Sequence, residues 1–139
     1  MNPREPRRRA AIVVDSSALI AILRREAEAG SFARLIAASD ARISAANWLE
    51  AAMVADGARV GGGERLDEIV ELLGLQIEPV TSAHARAARM AFLRYGKGSG
   101  SPARLNFGDC LAYALAATSG APLLFKGDDF THTDVLQVP

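Results

Sequence analysis

The chain has almost no cysteine, no excess of either charge and no long apolar run, and each shortage excludes a class of protein. Its 139 residues include one cysteine, Cys110, so an internal disulfide framework is excluded and a reducing, cytoplasmic location is expected. Sixteen basic and sixteen acidic residues cancel, so the overall basic footprint of a nucleic-acid-binding domain is missing. No apolar run approaches the roughly 20 residues of a membrane span, so we expect no membrane association.

Length and hydrophobic content favour one domain with a sizeable core. A chain of 139 residues lies within the usual range of a single domain, and 50% of its residues are hydrophobic. The basic segment 1–10 precedes only a short apolar stretch that Asp15 interrupts, which argues against a cleaved secretory signal. We therefore expect a basic N-terminal arm over residues 1–10 and a folded domain over residues 11–139.

Strand patterns alternate with helix patterns along the chain, and this alternation is typical of the α/β class. The helices are predicted to begin near residues 16, 31, 45, 66, 82 and 107. The glycine- and serine-rich segment 95–104 is predicted to be a mobile loop. Short strands are predicted at residues 12–14, 42–44, 75–80 and 123–125, with a last edge strand at 135–138.

Large apolar residues on two of these helices are predicted to be buried. They are Trp48, Leu49, Met53, Phe92 and Leu93, accompanied by several alanines. Trp48 and the phenylalanines are interpreted as core residues rather than platforms on which bases stack.

Four acidic residues stand at or beside predicted junctions between a strand and a helix: Asp15, Glu50, Asp109 and Asp129. Asp15 directly follows a buried strand, at the sheet edge where open α/β folds hold ligands. Carboxylates gathered in one place raise one another's pKa values, and a divalent cation removes that penalty. Oxygen ligands favour Mg²⁺ or Mn²⁺, which activate water and screen phosphoryl charge, so phosphodiester hydrolysis is the natural chemistry.

The sequences around these acids resemble the motifs of PIN-domain ribonucleases, most of all the VapC-type toxins of type II toxin–antitoxin systems. The similar segments are VVDSSAL, ISAANWLEA, NFGDCLAYALA and LLFKGDDF, and the resemblance runs from about Ala11 to the carboxyl end. It implies a PIN-like fold, with a small, mostly parallel sheet of about five strands flanked by helices on both faces. It also implies an endoribonuclease that uses Mg²⁺ or Mn²⁺.

The resemblance assigns roles to individual residues. Asp15 and Asp109 match acids expected to bind the metal directly, while Glu50 and Asp129 are expected to bind it directly or through water. Asp128 is a possible substitute for Asp129, because many relatives carry an acid where this chain has Gly127. Two polar neighbours, Ser16 and Asn106, are expected to donate hydrogen bonds that fix the carboxylates.

The resemblance also implies partners. Besides RNA, we expect a small VapB-type antitoxin whose tail fills the active-site groove, and a homodimer built on the early helices. The apolar patch for that dimer would come from Leu23, Phe32, Leu35 and Ile36. With no net charge, RNA must be held by local cations, for which the candidates are Arg24, Lys97, Arg104, Lys126 and the arginines of the arm.

Other functions stay open at this stage. A catalytically silent α/β module that binds a protein partner or RNA would show no response to metal, whereas the nuclease would lose cleavage in EDTA. A DNA-directed nuclease with the same acids is disfavoured because the chain is short and lacks a basic arch. Cys110 with His84 or His132 lacks the surroundings of a thiol hydrolase and the paired ligand spacing of structural zinc.

Overall fold

One parallel sheet organises the protein. The computed structural model describes residues 8–57 and 62–139, so residues 1–7 of the predicted arm and the segment 58–61 lie outside the described residues. In the order β3-β2-β1-β4, the strands are β1 (Ala11–Val14), β2 (Asp40–Ser44), β3 (Gln76–Glu78) and β4 (Leu123–Leu124). All three pairings are parallel, and the registers place Ala11 beside Asp40, Arg42 beside Gln76 and Val13 beside Leu123.

Helices cover both faces of this sheet, as parallel strands require of their crossover connections. The described part of the chain forms α1 (Ser16–Leu23), α2 (Ala29–Ala38), α3 (Ala45–Gly57), α4 (Gly62–Leu73), α5 (Ser82–Tyr95) and α6 (Phe107–Ser119). Alternate residues of β1 point to opposite faces. Val13 joins a core with α5 and α6, while Ile12 and Val14 join a second core with α1 to α4. The α/β prediction is therefore confirmed.

The sheet has four strands in the described residues rather than about five. The predicted edge strand at 135–138 forms only an isolated parallel bridge between Leu123 and Gln137. Two hydrogen bonds make this bridge: Leu123 N–H donates to Leu136 O at 2.7 Å, and Val138 N–H donates to Leu123 O at 3.1 Å. Because β4 is itself two residues long, it offers too short a ladder for a fifth strand.

The helices bury small residues where larger ones were predicted to be buried. Met53 on α3 is 66% exposed and Leu93 on α5 is 61% exposed, while Leu49 and Phe92 are also exposed. The packed faces of these two helices are instead made of alanines, which let the neighbouring elements approach closely. Trp48 packs against the second core as predicted, but Phe107 is 81% exposed and is not a core residue.

The apolar patch predicted for a homodimer belongs partly to the protein's own core. Leu23 and Ile36 are buried, and Phe32 and Leu35 are partly buried against the same cluster. Leu23 and Ile36 are therefore taken up by the core and unavailable to the predicted dimer surface, whereas Phe32 and Leu35 stay partly exposed. Within the two described ranges, no helix is long and apolar enough to cross a membrane.

Candidate active site

Asp15 lies where β1 ends and α1 begins. As the N-cap of α1, its Oδ2 accepts a hydrogen bond from Ser17 N–H at 3.0 Å, and its own N–H donates to Leu124 O at 2.9 Å. Only 3% of the residue is exposed. The other carboxylate oxygen, Oδ1, is buried and accepts no hydrogen bond from the described residues. A buried oxygen without a donor is costly, and a cation would remove that cost.

The surroundings of Asp15 disfavour its ionised form. Burial is the largest cause that raises its pKa from 3.8 to about 6, although hydrogen bonds from Ser17 oppose the rise. The negative charges of Asp109 and Glu50 raise the pKa further. Three carboxylates that are far apart in the sequence therefore share one region.

Asp109 stands in the first turn of α6 and is fixed by a reciprocal cap. Its Oδ2 accepts from Asn106 N–H at 3.0 Å, and its own N–H donates to Asn106 Oδ1 at 2.9 Å. Asn106 thus fixes the carboxylate through its main chain, whereas its side chain accepts a bond instead of donating one as predicted. Burial raises the pKa of Asp109, and the charges of Asp129 and Glu50 add to the rise.

The fourth acid approaches from the loop after β4. Asp129 opens a short 3-10 helix (Asp129–His132), and both it and Asp128 are exposed. The negative charge of Asp129 raises the pKa of Asp109, so Asp129 lies near that acid. Gly127 has a φ of 100°, a backbone conformation that an acidic residue would adopt only with strain.

Glu50 is half-buried on α3 and accepts two hydrogen bonds on Oε1. Ser16 Oγ donates at 3.1 Å, and Asn47 Nδ2 donates at 2.8 Å. Ser16 is thus a donor, as predicted, whereas Asn47 was not among the predicted site residues. Asn47 is fully buried and also donates to Gly108 O at 2.9 Å. The only sequence signal for Asn47 was its position three residues before Glu50, on the same side of the helix.

These residues fit Mg²⁺ or Mn²⁺ without forming a closed cage. Within residues 8–57 and 62–139, no three Asp, Glu, His or Cys side chains converge on a single ion position. The acids are nevertheless close enough to raise one another's pKa values, and the buried Asp15 Oδ1 accepts no hydrogen bond from the part of the chain that the structure describes. This proximity suffices for Mg²⁺, which needs only one or two direct carboxylates and keeps several waters. Asp15 and Asp109 are the residues that would hold the ion.

The predicted RNA-binding cations differ in their surroundings. The positive charge of Lys97 lowers the pKa of Asp109, so this side chain lies near the acids. Lys126 is engaged elsewhere: its ammonium group pairs with Glu26 and, at 3.1 Å, with Glu28. Two more predicted cations are exposed, namely Arg24 and Arg104.

The loop that carries Lys97 has a fixed base. Lys97 N–H donates to Leu105 O at 3.1 Å, and Leu105 N–H donates to Tyr95 O at 2.9 Å. Ala103 and Leu105 are fully buried, which anchors the returning half of the loop in the core. The segment predicted as a mobile loop is therefore a loop whose two ends are hydrogen-bonded to each other.

Cys110 is unsuited to act as a nucleophile. Burial, and secondarily the charge of Asp109, raises the pKa of this thiol to about 11, so the reactive thiolate is scarce at neutral pH. His84 is used in the capping box of α5, where its N–H and ring nitrogen bond with Thr81. The structure therefore disfavours the thiol hydrolase alternative.

Comparison with known proteins finds a matching family model, similar sequences and solved structures with the same fold. The family model described as PIN domain matches residues 12–136. The chain is 51% identical over 126 residues to Ribonuclease VapC28 of Mycobacterium tuberculosis, covering 89% of this chain and 95% of that protein. Two solved structures, each 19% identical, show the same fold. VapC20 of M. tuberculosis, a Sarcin-Ricin loop cleaving toxin, has a TM-score of 0.69 over 91% of this chain and 98% of its own. A toxin–antitoxin complex from Klebsiella pneumoniae has a TM-score of 0.71 over 92% of this chain and 97% of its own.

Proposed function

This chain belongs to the PIN domain family, with VapC ribonucleases as its relatives, and from that premise we propose how it acts on RNA. It is a ribonuclease of the VapC type, the toxin of a VapBC toxin–antitoxin pair. Our proposal is that it is an endoribonuclease whose hydrolysis of phosphodiester bonds depends on Mg²⁺ or Mn²⁺. The observation that supports the metal dependence is the buried Asp15, whose Oδ1 accepts no hydrogen bond within residues 8–57 and 62–139 and whose pKa is raised by burial.

The four acids are proposed to have different roles in metal binding and hydrolysis. Asp15 and Asp109 would hold the ion, which when bound supplies an activated water and neutralises charge on the phosphoryl oxygens. Glu50, oriented by two hydrogen bonds on Oε1, would bind the ion directly or through one of its waters. Asp129, exposed at the rim, would orient a further water.

RNA binding is proposed to use Lys97 first. Its ammonium group acts electrostatically on Asp109, so a phosphate placed beside that acid would also lie beside a cation. Arg24 and Arg104 are exposed and stay proposals for contacts farther along the strand. Lys126 is less favoured because two glutamates already engage it.

The protein partners are also proposals. A VapB-type antitoxin fits an acidic site, because an arginine from its tail would pair with carboxylates that are unstable when ionised together. The toxin–antitoxin complex from K. pneumoniae, which shares the fold, supports such a partner. A homodimer through the early helices stays a proposal, with the partly exposed Phe32 and Leu35 at its surface. The exposed apolar groove between α5 and α6, which includes Val80, Phe92 and Phe107, is an alternative surface for it.

The family match supports the proposal that residues 11–139 form the nuclease domain, with residues 1–10 as an arm outside it. The cytoplasmic location likewise stays a proposal, resting on the single cysteine and on the likeness to VapC toxins.

Cleavage of purified cellular RNA tests the function. The wild-type protein should cut RNA with Mn²⁺ and stop in EDTA. Asp15→Asn and Asp109→Asn should be inactive with both Mg²⁺ and Mn²⁺. The matched control is Asp67→Asn, which removes an exposed carboxylate on α4 and should keep full activity. A catalytically silent binding module would instead show no cleavage and no response to Mn²⁺.

A further inference from the structure

One buried amide joins two helices that carry acids of the site. Asn47 on α3 is fully buried, and its Nδ2 donates to both Glu50 Oε1 at 2.8 Å and Gly108 O at 2.9 Å. Glu50 lies one turn farther along the same helix, and Gly108 directly precedes Asp109 in the first turn of α6. The amide therefore connects the carboxylate on α3 to the backbone that carries Asp109.

The orientation of this amide is determined by its partners. Both partner atoms are oxygens that only accept hydrogen bonds, so the nitrogen of Asn47 must face them. The remaining atom, Oδ1, is buried and accepts no hydrogen bond from the described residues. Leaving a buried oxygen without a donor is costly, and the two bonds to Glu50 and Gly108 offset that cost. An aspartate at position 47 would place an acceptor where two donated bonds are needed.

Gly108 contributes room for the same carboxylate. A Cβ at this position would lie 2.2 Å from Glu50 Oε2 and 2.4 Å from Glu50 Oε1, well inside van der Waals contact. The Glu50 carboxylate thus rests directly on the Cα of Gly108. Even the smallest side chain at position 108 would displace it.

We propose that Asn47 is a positioning residue that holds the Glu50 carboxylate against the first turn of α6, in the space that Gly108 leaves open. Asn47 then acts on the reaction only through Glu50, by keeping that carboxylate at a set distance from Asp109. The inference rests on the proposed function in so far as Glu50 serves the metal-dependent step. It adds two residues that the acidic motifs do not include.

A double-mutant cycle between Asn47 and Glu50 tests this role. Asn47→Ala should lower single-turnover cleavage with Mn²⁺ about 10- to 100-fold, the range typical of losing a residue that orients a metal ligand, with little change in KM for RNA. In a Glu50→Ala background the same substitution should cost less than about twofold, because its target is gone. A matched cycle pairs Asn47→Ala with Asp129→Asn, whose carboxylate Asn47 does not contact. In that double variant the fold-losses of the two single variants should multiply. An equal loss from Asn47→Ala with and without Glu50 would overturn the proposal.

The second perturbation reaches the same carboxylate without touching Asn47. Gly108→Ala should lower cleavage by a similar factor in the wild-type protein and cost almost nothing further in the Glu50→Ala background. The control is Gly57→Ala on α3, where a Cβ meets no described atom within 4 Å and cleavage should be unchanged. This pair decides the question even if Asn47→Ala fails to fold. A wild-type rate in Gly108→Ala would contradict the placement of Glu50.

Failure of the proposed function is distinguishable from failure of this inference. If the wild-type protein cuts RNA with Mn²⁺ but both cycles are additive, only the positioning role is wrong. If the wild-type protein cuts nothing, Mn²⁺ binding measured by calorimetry still tests the positioning role of Asn47. Asn47→Ala should weaken Mn²⁺ binding at least tenfold relative to the wild type, but the double variant should bind Mn²⁺ as well as Glu50→Ala does. Equal affinities in all four proteins would then reject the positioning role as well.

Discussion

Replacing Asp15 by asparagine should make the metal-free protein more stable relative to the wild type as the pH rises. The pKa of Asp15 is raised in the folded state to about 6, mainly by burial, from an ordinary value of 3.8. The folded state therefore prefers the protonated acid. Its contribution to stability is complete below about pH 4, declines between pH 4 and 6, and is lost above that. Asparagine has no such dependence and is an equally good N-cap for α1.

The size of the effect follows from this rise in pKa. About two pKa units at about 1.4 kcal/mol each correspond to roughly 3 kcal/mol of unfolding free energy at pH 8. For a domain of this size that is on the order of 10 °C in Tm. The buried amide of the variant brings its own cost, but that cost is the same at every pH. The informative quantity is therefore how much the difference in unfolding free energy between Asp15→Asn and the wild type changes from pH 4 to pH 8.

Urea unfolding in EDTA at several pH values measures this difference. Trp48 is the single tryptophan and packs against the second core, so its fluorescence reports loss of the fold. Asp67→Asn, on the exposed side of α4, should follow the wild-type curve within about 0.5 kcal/mol at every pH. A difference between Asp15→Asn and the wild type that stays constant from pH 4 to pH 8 would refute the reasoning.

Three further predictions concern the same site. Mn²⁺ should raise the Tm of the wild-type protein more at pH 8 than at pH 5, because binding requires ionised carboxylates; equal shifts in a thermal-shift assay would contradict this. Ser16→Ala should lower kcat about tenfold by removing a hydrogen bond to Glu50, while Ser82→Ala at an exposed position should not, and unchanged kcat in both would reject the role of Ser16. Asp129→Asn should reduce RNA cleavage more than Asp128→Asn; the reverse order would show that the neighbouring acid is the functional one.

The parts of the site that depend on local sequence could be predicted from it. A short apolar strand followed at once by an acid and a serine places Asp15 at the end of β1 and at the cap of α1, and both follow from nearest neighbours. Asp109 likewise lies in the first turn of its helix because a capping asparagine stands three residues before it. That Ser16 donates to a carboxylate was expected from the family resemblance, but its partner Glu50, 34 residues away, was not identified.

Contacts across the fold could not be predicted in this way. Asn47 and Gly108 are 61 residues apart, and Lys126 meets Glu26 at a separation of 100 residues. Periodicity identifies the faces of a helix but not which face a neighbour covers. On α3 and α5 the alanine-rich faces are covered, because small side chains permit close packing, so Met53 and Leu93 stay exposed.

Anomalous diffraction from crystals grown with Mn²⁺ tests most directly whether the acids of this site hold a divalent cation. We predict a single strong peak within coordination distance of the carboxylates of Asp15 and Asp109, and its loss in Asp15→Asn. A peak elsewhere, or Asp15 and Asp109 without Mn²⁺ between them at saturating concentration, would contradict the metal-dependent mechanism.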